Sequence, residues 1–180
     1  MSGAVGASLI AMVAGLPKPR VQGPEQERQL EAARRRSVGS SEHLAELMNR
    51  DSEAYEHVVA AFRLPKGSDD EKSVRMSRIQ QALQSATDAP LAVMRACLDT
   101  IQAAADVAAF GNANAWSDVR VGLELLMAGL RGARLNVAIN LTSIKDHAYV
   151  ELVTKETERL EAEAENASKT ALALLPGSAP

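Results

Sequence analysis

Two carboxylates and four asparagines are the side chains of this 180-residue chain best suited by type and spacing to do chemistry. Asp118 follows Ser117 at a helix start inside the segment 111–141, GNANAWSDVRVGLELLMAGLRGARLNVAINL. The positive end of the helix dipole favours its charged form, so it takes a proton or faces a developing cation better than it gives a proton. The alternative role is plain stabilisation of the helix N-terminus. Asp51 lies four residues before Tyr55, on the same helix face. Packed against that ring it would hold its proton and could deliver it to a leaving amine; otherwise it is a solvated carboxylate beside Arg50. Carboxylates whose environments differ in this way can divide acid and base work. Asn112, Asn114, Asn136 and Asn140 each break an apolar pattern and offer both donors and acceptors, which suits the alternating edge of a planar heterocycle. Capping by the first pair and helix bridging by the second are the alternatives.

At helical spacing, Asp118, Gly122, Leu125, Gly129, Gly132, Asn136 and Asn140 follow one another in steps of three or four and share a stripe with polar ends and a bare middle. Each glycine costs ~1 kcal/mol against alanine in a helix interior. Their bareness lets another helix or a flat ligand approach the backbone. Close helix packing accounts for the glycines but not for the asparagines, since a buried amide without partners costs ~1–3 kcal/mol.

The elements that must hold these residues are helical. Hydrophobic residues make up 46% of the chain and aromatics only 3%, a balance of Ala, Leu and Val that suits closely packed helical layers. No strand-like alternation with hairpin turns occurs. The run from Ser2 to Leu16 reads as a buried helix, too short to span a bilayer. Pro17, Pro19, Gly23 and Pro24 form a linker. A second helix starts near Glu25, loosens at Ser37–Ser41, resumes, and ends at Leu64-Pro65. Ser68 and Glu71 form a capping box for a third stretch reaching Phe110, which Pro90 either splits in two or kinks, with Gly111 as its C-terminal cap. A fourth helix runs from near Ser117 to about Ile144. A fifth, from about Asp146 to Leu175, carries the charged run ETERLEAEAE, either a solvated face or a contact with a second subunit. The expectation is an all-α, mostly antiparallel bundle of five to six helices with long kinked members. It forms a single domain over 1–175 and ends in a disordered tail, 176–180.

Net charge is −3 and the isoelectric point about 5.7, with no basic block beyond Arg34-Arg35-Arg36, so nothing marks a nucleic-acid binder. Neither is a membrane partner indicated. Cys97, the one cysteine, sits in an apolar helical pattern and forms no internal disulfide, which agrees with a cytoplasmic protein. His43, His57 and His147 are scattered and read as surface or structural residues.

Five pieces of the chain together resemble the formiminotransferase-cyclodeaminase family, that is, its cyclodeaminase domain and the single-domain bacterial methenyltetrahydrofolate cyclohydrolases. SGAVGASLIAMVAGL looks like the family's first buried helix. Asp51-Ser52-Glu53-Ala54-Tyr55 followed by Arg63-Leu64-Pro65-Lys66 is similar to its acidic-aromatic turn and RLPK signature. Ala89-Pro90-Leu91 matches its kink. GNANAWSD (Gly111 to Asp118) and RGARLNVAINL (Arg131 to Leu141) resemble its GNPN…SD and RGA..NV.IN motifs. There are two departures: Ala113 stands where a proline is usual, and the sequence given begins after the position of the family's Gly-rich PGGGS-like turn.

The resemblance implies a homodimer that binds a reduced folate near the subunit contact. It implies an activity in folate one-carbon metabolism: formiminotetrahydrofolate cyclodeaminase first, with methenyltetrahydrofolate cyclohydrolase as the alternative and a noncatalytic folate-binding or assembly dimer after that. The substrate is a tetrahydrofolate derivative, and the chemistry calls for no metal. Asp118 and Asp51 become the catalytic candidates, with Tyr55, Asn112, Asn114, Asn136 and Asn140 around the substrate. A folate's glutamate tail needs local cations on an acidic protein; Arg63, Lys66, Arg131 and Lys145 are the candidates, Arg offering a planar fork for carboxylates.

Overall fold

In the computed structural model, which describes residues 1–17 and 19–176, the described chain is all-α. Helix α1 spans Ser2–Ala14, α2 Pro24–Phe62, α3 Asp69–Phe110, α4 Trp116–Leu141 and α5 His147–Ala173, with a single 3-10 turn at Ala113–Ala115. Local chemistry sets most of these limits. Proline at the first position and Glu25 and Glu27 in the first turn start α2. The Ser68 hydroxyl accepts from the Glu71 N–H while the Glu71 carboxylate accepts from the Ser68 N–H, so the capping box forms as expected. Asp146 caps α5 by accepting from the Tyr149 N–H at 3.1 Å.

Helix α2 does not loosen at Ser37–Ser41. It is continuous because its hydroxyls are used inside the bundle: Ser37 donates to Ala33 O at 2.8 Å and Ser41 to Ala4 O at 3.1 Å. Helix α3 runs through Pro90 as one element, which resolves the choice left open by the sequence. Helix α4 ends at Leu141, before Ile144, and that isoleucine turns back into a small apolar cluster with Ala61, Ile79 and Leu83. Residues 177–180 of the expected tail lie outside the described residues.

Sequential helices pack antiparallel. Arg36 on α2 pairs with Asp99 on α3, and Arg131 and Arg134 on α4 reach Glu161 on α5 at 3.7 and 2.6 Å. The acidic run of α5 is thus partly an intramolecular ion-pair face. Helix α1 lies against α4 nearly backbone to backbone. A Cβ on Gly6 would stand 2.7 Å from Gly122 O, and one on Gly129 would stand 3.0 Å from the Gly3 N. Beneath this contact the core is built on Ile10, Leu47, Met94, Ile101, Leu123, Leu126, Leu130 and Leu160, all nearly or fully excluded from solvent. Cys97 belongs to it, and burial pushes its thiol up to about 12.

Candidate functional site

The cleft begins at a defect in α3. Pro90 has no N–H, so the carbonyl four residues back, Ala86 O, loses its helical donor. The Asn140 side chain of α4 fills that role, donating to Ala86 O at 3.0 Å. Two more hydroxyls reach the same turns: Thr87 donates to Leu83 O at 2.9 Å and Tyr149 of α5 to Gln84 O at 3.2 Å. Burial, and then the neighbouring Asp88, raise the Tyr149 phenol above its ordinary value, so it stays a donor. Helices α3, α4 and α5 are therefore tied together around the proline.

On the α2 side of this junction lie two adjoining cavities of about 260 Å³ each. One is lined by Leu47, Asp51, Pro90, Gly129, Gly132 and Asn136, among others. The other is lined by Asp51, Tyr55, Leu83, Ala86, Asn136 and Asn140. They share Asp51 and Asn136, which stand on α2 and α4. Both side chains are solvent-facing, and neither bonds to another described residue, so both are available to a ligand. Asp51 is not packed against Tyr55. Both side chains are exposed, the ring at 69%, so the burial on which the proton-donor role depended is not present, and Asp51 stands open to the cleft. Tyr55 also borders a shallow hollow with Arg63, Val59 and Pro65, which places Arg63 one step beyond the cleft. Lys66 is exposed in the turn that follows.

The other sequence candidates lie elsewhere. Asp118 is in the first turn of α4, 18 positions before Asn136 on the same helix, about 27 Å at 1.5 Å per residue. One reacting carbon within one chain cannot be served by both. Asn112 has committed its amide to the fold: Nδ2 donates to Pro17 O at 2.7 Å and Oδ1 accepts from the Asn114 N–H at 2.9 Å, strapping Pro17 to the turn that follows α3. Asn114 is exposed beside it. Arg131 is held by Glu165 at 3.0 Å and by Glu161, so its fork is already occupied by carboxylates. Lys145 is exposed, and its backbone N–H donates to Gln80 at 2.7 Å.

The family model described as formiminotransferase-cyclodeaminase matches residues 1–159. The chain belongs to this family. A methenyltetrahydrofolate cyclohydrolase of Methylorubrum extorquens is 42% identical over 164 residues, covering 91% of the chain and 79% of that protein. The formimidoyltransferase-cyclodeaminase of Sus scrofa is 33% identical over 89% of the chain, which spans only 30% of that longer protein. Among solved structures, a formiminotetrahydrofolate cyclodeaminase from Thermotoga maritima superposes with a TM-score of 0.72 at 29% identity, covering 98% of this chain and 84% of that one.

Sequence reasoning passed over two parts of the cyclodeaminase-family cleft. Beyond a split or a kink in the helix, a proline four residues after Ala86 signals an open carbonyl that some neighbour must meet. Gly132 was read together with Gly122 and Gly129, but it alone of the three has no atom within 4 Å of where a Cβ would sit. Among the described residues no helix is long and apolar enough to cross a membrane.

Proposed function

We propose that the cleft at Asp51 and Asn136 binds a reduced folate, that residues 1–175 act as one catalytic unit, and that the reaction is that of a methenyltetrahydrofolate cyclohydrolase. The observation that carries the finer reading is the 42% identity to the M. extorquens protein of that name, against 33% and 29% for the relatives named as cyclodeaminases. Where the motifs alone put the cyclodeaminase first, this supports the opposite order.

In the cyclohydrolase reaction, water adds to the electrophilic carbon bridging two folate nitrogens and one of its protons passes to a base. The tetrahedral adduct then collapses with cleavage of one carbon–nitrogen bond. One proton ends on the freed nitrogen, the other is released, and the formyl group stays on the second nitrogen. Asp51, open and unpaired at the junction of the two cavities, is the base for the first step. Asn136 supplies both donor and acceptor to the ring edge, while Arg63, which shares a hollow with Tyr55, and the exposed Lys66 three residues on would meet the glutamate tail. The cyclodeaminase reading, in which the second nitrogen attacks a formimino carbon and ammonia departs, is supported by the Thermotoga structure, matched over 98% of this chain. It uses the same cleft.

The partner is a second copy of the chain. Helix α1 carries no charged side chain, yet Val5 and Met12 are 48% and 46% exposed; on α4, Val121, Leu135 and Ile139 are 50%, 66% and 67% exposed. These exposed apolar side chains on two helices that pack side by side are read as the surface that meets the second copy. Two copies of α4 pairing antiparallel about a two-fold axis bring the Asp118 end of one toward the Asn136 end of the other, so that both carboxylates serve one site. The single reduced cysteine fits a cytoplasmic location.

The test offers the purified protein 5,10-methenyltetrahydrofolate and, separately, 5-formiminotetrahydrofolate, following methenyl absorbance and ammonia. Loss of the methenyl chromophore without need of ammonia supports the cyclohydrolase; ammonia released in step with methenyl formation supports the cyclodeaminase; silence with both refutes the catalytic reading. Asp51→Asn and Asp118→Asn each abolish turnover at unchanged melting temperature, and mixing the two variants recovers activity if the site is shared between subunits.

A further inference from the structure

The three glycines of the α4 stripe have different reasons to be glycine. Gly122 and Gly129 are required by α1: a Cβ on Gly122 would stand 2.9 Å from Ile10 Cδ1 and 3.2 Å from Gly6 O, and one on Gly129 would meet the Gly3 backbone at 3.0 and 3.1 Å. Packing explains them. Gly132 has no such neighbour, and it sits mid-helix, where glycine is the poorest helix former short of proline. It lines the 260 Å³ cavity together with Asp51 and Asn136, the latter one turn farther along the same face.

Resting on the folate reading above, we propose that Gly132 sets what the cleft accepts: its bare backbone is the surface on which the flat face of the substrate's pterin ring lies, with Asn136 at the ring's edge. A side chain at 132 would project into the cleft and not into the protein. It would therefore exclude a planar ring while leaving the fold intact. This makes Gly132 a specificity-determining residue, where any other residue except proline would give a better helix.

The experiment measures the Kd of 5-formyltetrahydrofolate, a stable reduced folate, by calorimetry for the wild type, Gly132→Ala, Gly132→Leu and a control, Gly39→Leu. Gly39 is likewise mid-helix with no atom within 4 Å of a Cβ, but it stands on α2 away from the cleft. Turnover of both folates, melting temperature and sedimentation are recorded alongside. The expected result is a Kd raised severalfold by Ala and at least tenfold by Leu, with unchanged sedimentation, a melting temperature not lowered in Gly132→Ala, and wild-type binding by Gly39→Leu. A Leu variant that binds as wild type overturns the assignment. So does weakened binding accompanied by a shift in sedimentation, which would make Gly132 a subunit contact. A wild type that binds the folate but turns over neither substrate refutes the catalytic reading while leaving the Kd series to decide on Gly132; a wild type that does not bind it overturns both.

Discussion

The bond from Asn140 to Ala86 O should be worth more than an ordinary helix-to-helix contact, because Pro90 leaves that carbonyl without its own helical donor. Asn140→Ala deletes the substitute donor at a half-buried position and leaves the acceptor unsatisfied, which costs about 1–3 kcal/mol. Pro90→Ala by itself returns an N–H at the right place in the ladder. In that background Ala86 O keeps a partner when Asn140 is removed, so Asn140→Ala loses only a supplementary bond, about 0.5–1.5 kcal/mol. The double-mutant cycle therefore predicts a coupling of about 1 kcal/mol between two residues 50 positions apart in the chain, whatever Pro90→Ala does alone to the unfolded state. Urea unfolding of the wild type, both single variants and the double variant reads it directly. If Asn140→Ala costs the same with proline as with alanine at 90, the carbonyl is not what Asn140 serves and the account of the α3–α4 tie is wrong.

The α1–α4 contact predicts that Gly6→Ala destabilises by about 1–3 kcal/mol, since its Cβ would stand 2.7 Å from a backbone oxygen that cannot swing away. Gly39→Ala, with open space around it, should instead stabilise by up to about 1 kcal/mol; equal effects in a thermal melt would refute the packing argument. The Cys97 thiol, buried and pushed up to about 12, should resist alkylation at neutral pH until the chain unfolds, and labelling at the rate of a free thiol in native buffer would contradict its burial. For Glu156, burial alone would raise the carboxyl, but hydrogen bonds from Arg159 and Arg95 outweigh it and hold the group below 4.5. Its contribution is then present above that value and lost as pH falls through the lower folded value. Glu156→Gln should accordingly flatten the acid side of the stability–pH curve, whereas a curve of unchanged shape would show that the ion pairs do not form in solution.

The helical class, the capping box, the Gly111 stop and the order of the elements were legible because they depend on neighbours a few residues apart. The continuity of α2 through Ser37–Ser41 was not: those serines read as a break until Ala4 of a different helix is seen to accept from Ser41. Arg131 failed as a free cation for the same reason. Its partners Glu161 and Glu165 are 30 or more positions away, and only the antiparallel packing of α4 on α5 brings them in. Burial of Asp51 against Tyr55 was a fair inference from an i, i+4 pair, but such a pair shares a face without fixing which way that face points.

Several ambiguities in the sequence shared one form: a pair or trio of identical residues for which a structural and a ligand-binding role were both open. The fold separates the members of each set by what the chain itself uses, bonding or packing against some and leaving the others open. Asn112 fastens Pro17 and leaves Asn114 exposed; Asn140 fastens α4 to the proline turn of α3 and leaves Asn136 free one turn away; Gly122 and Gly129 seat α1 and leave Gly132 open over the cleft. In the second and third sets the committed residue also fixes the position of the free one, because both stand on the same helix and α4 cannot rotate without breaking the Ala86 bond or lifting off the backbone of α1. A free amide on a helix pinned at both ends costs little further ordering when it meets a ligand, and on the folate reading proposed above such preorganisation would favour a planar substrate in a shallow cleft.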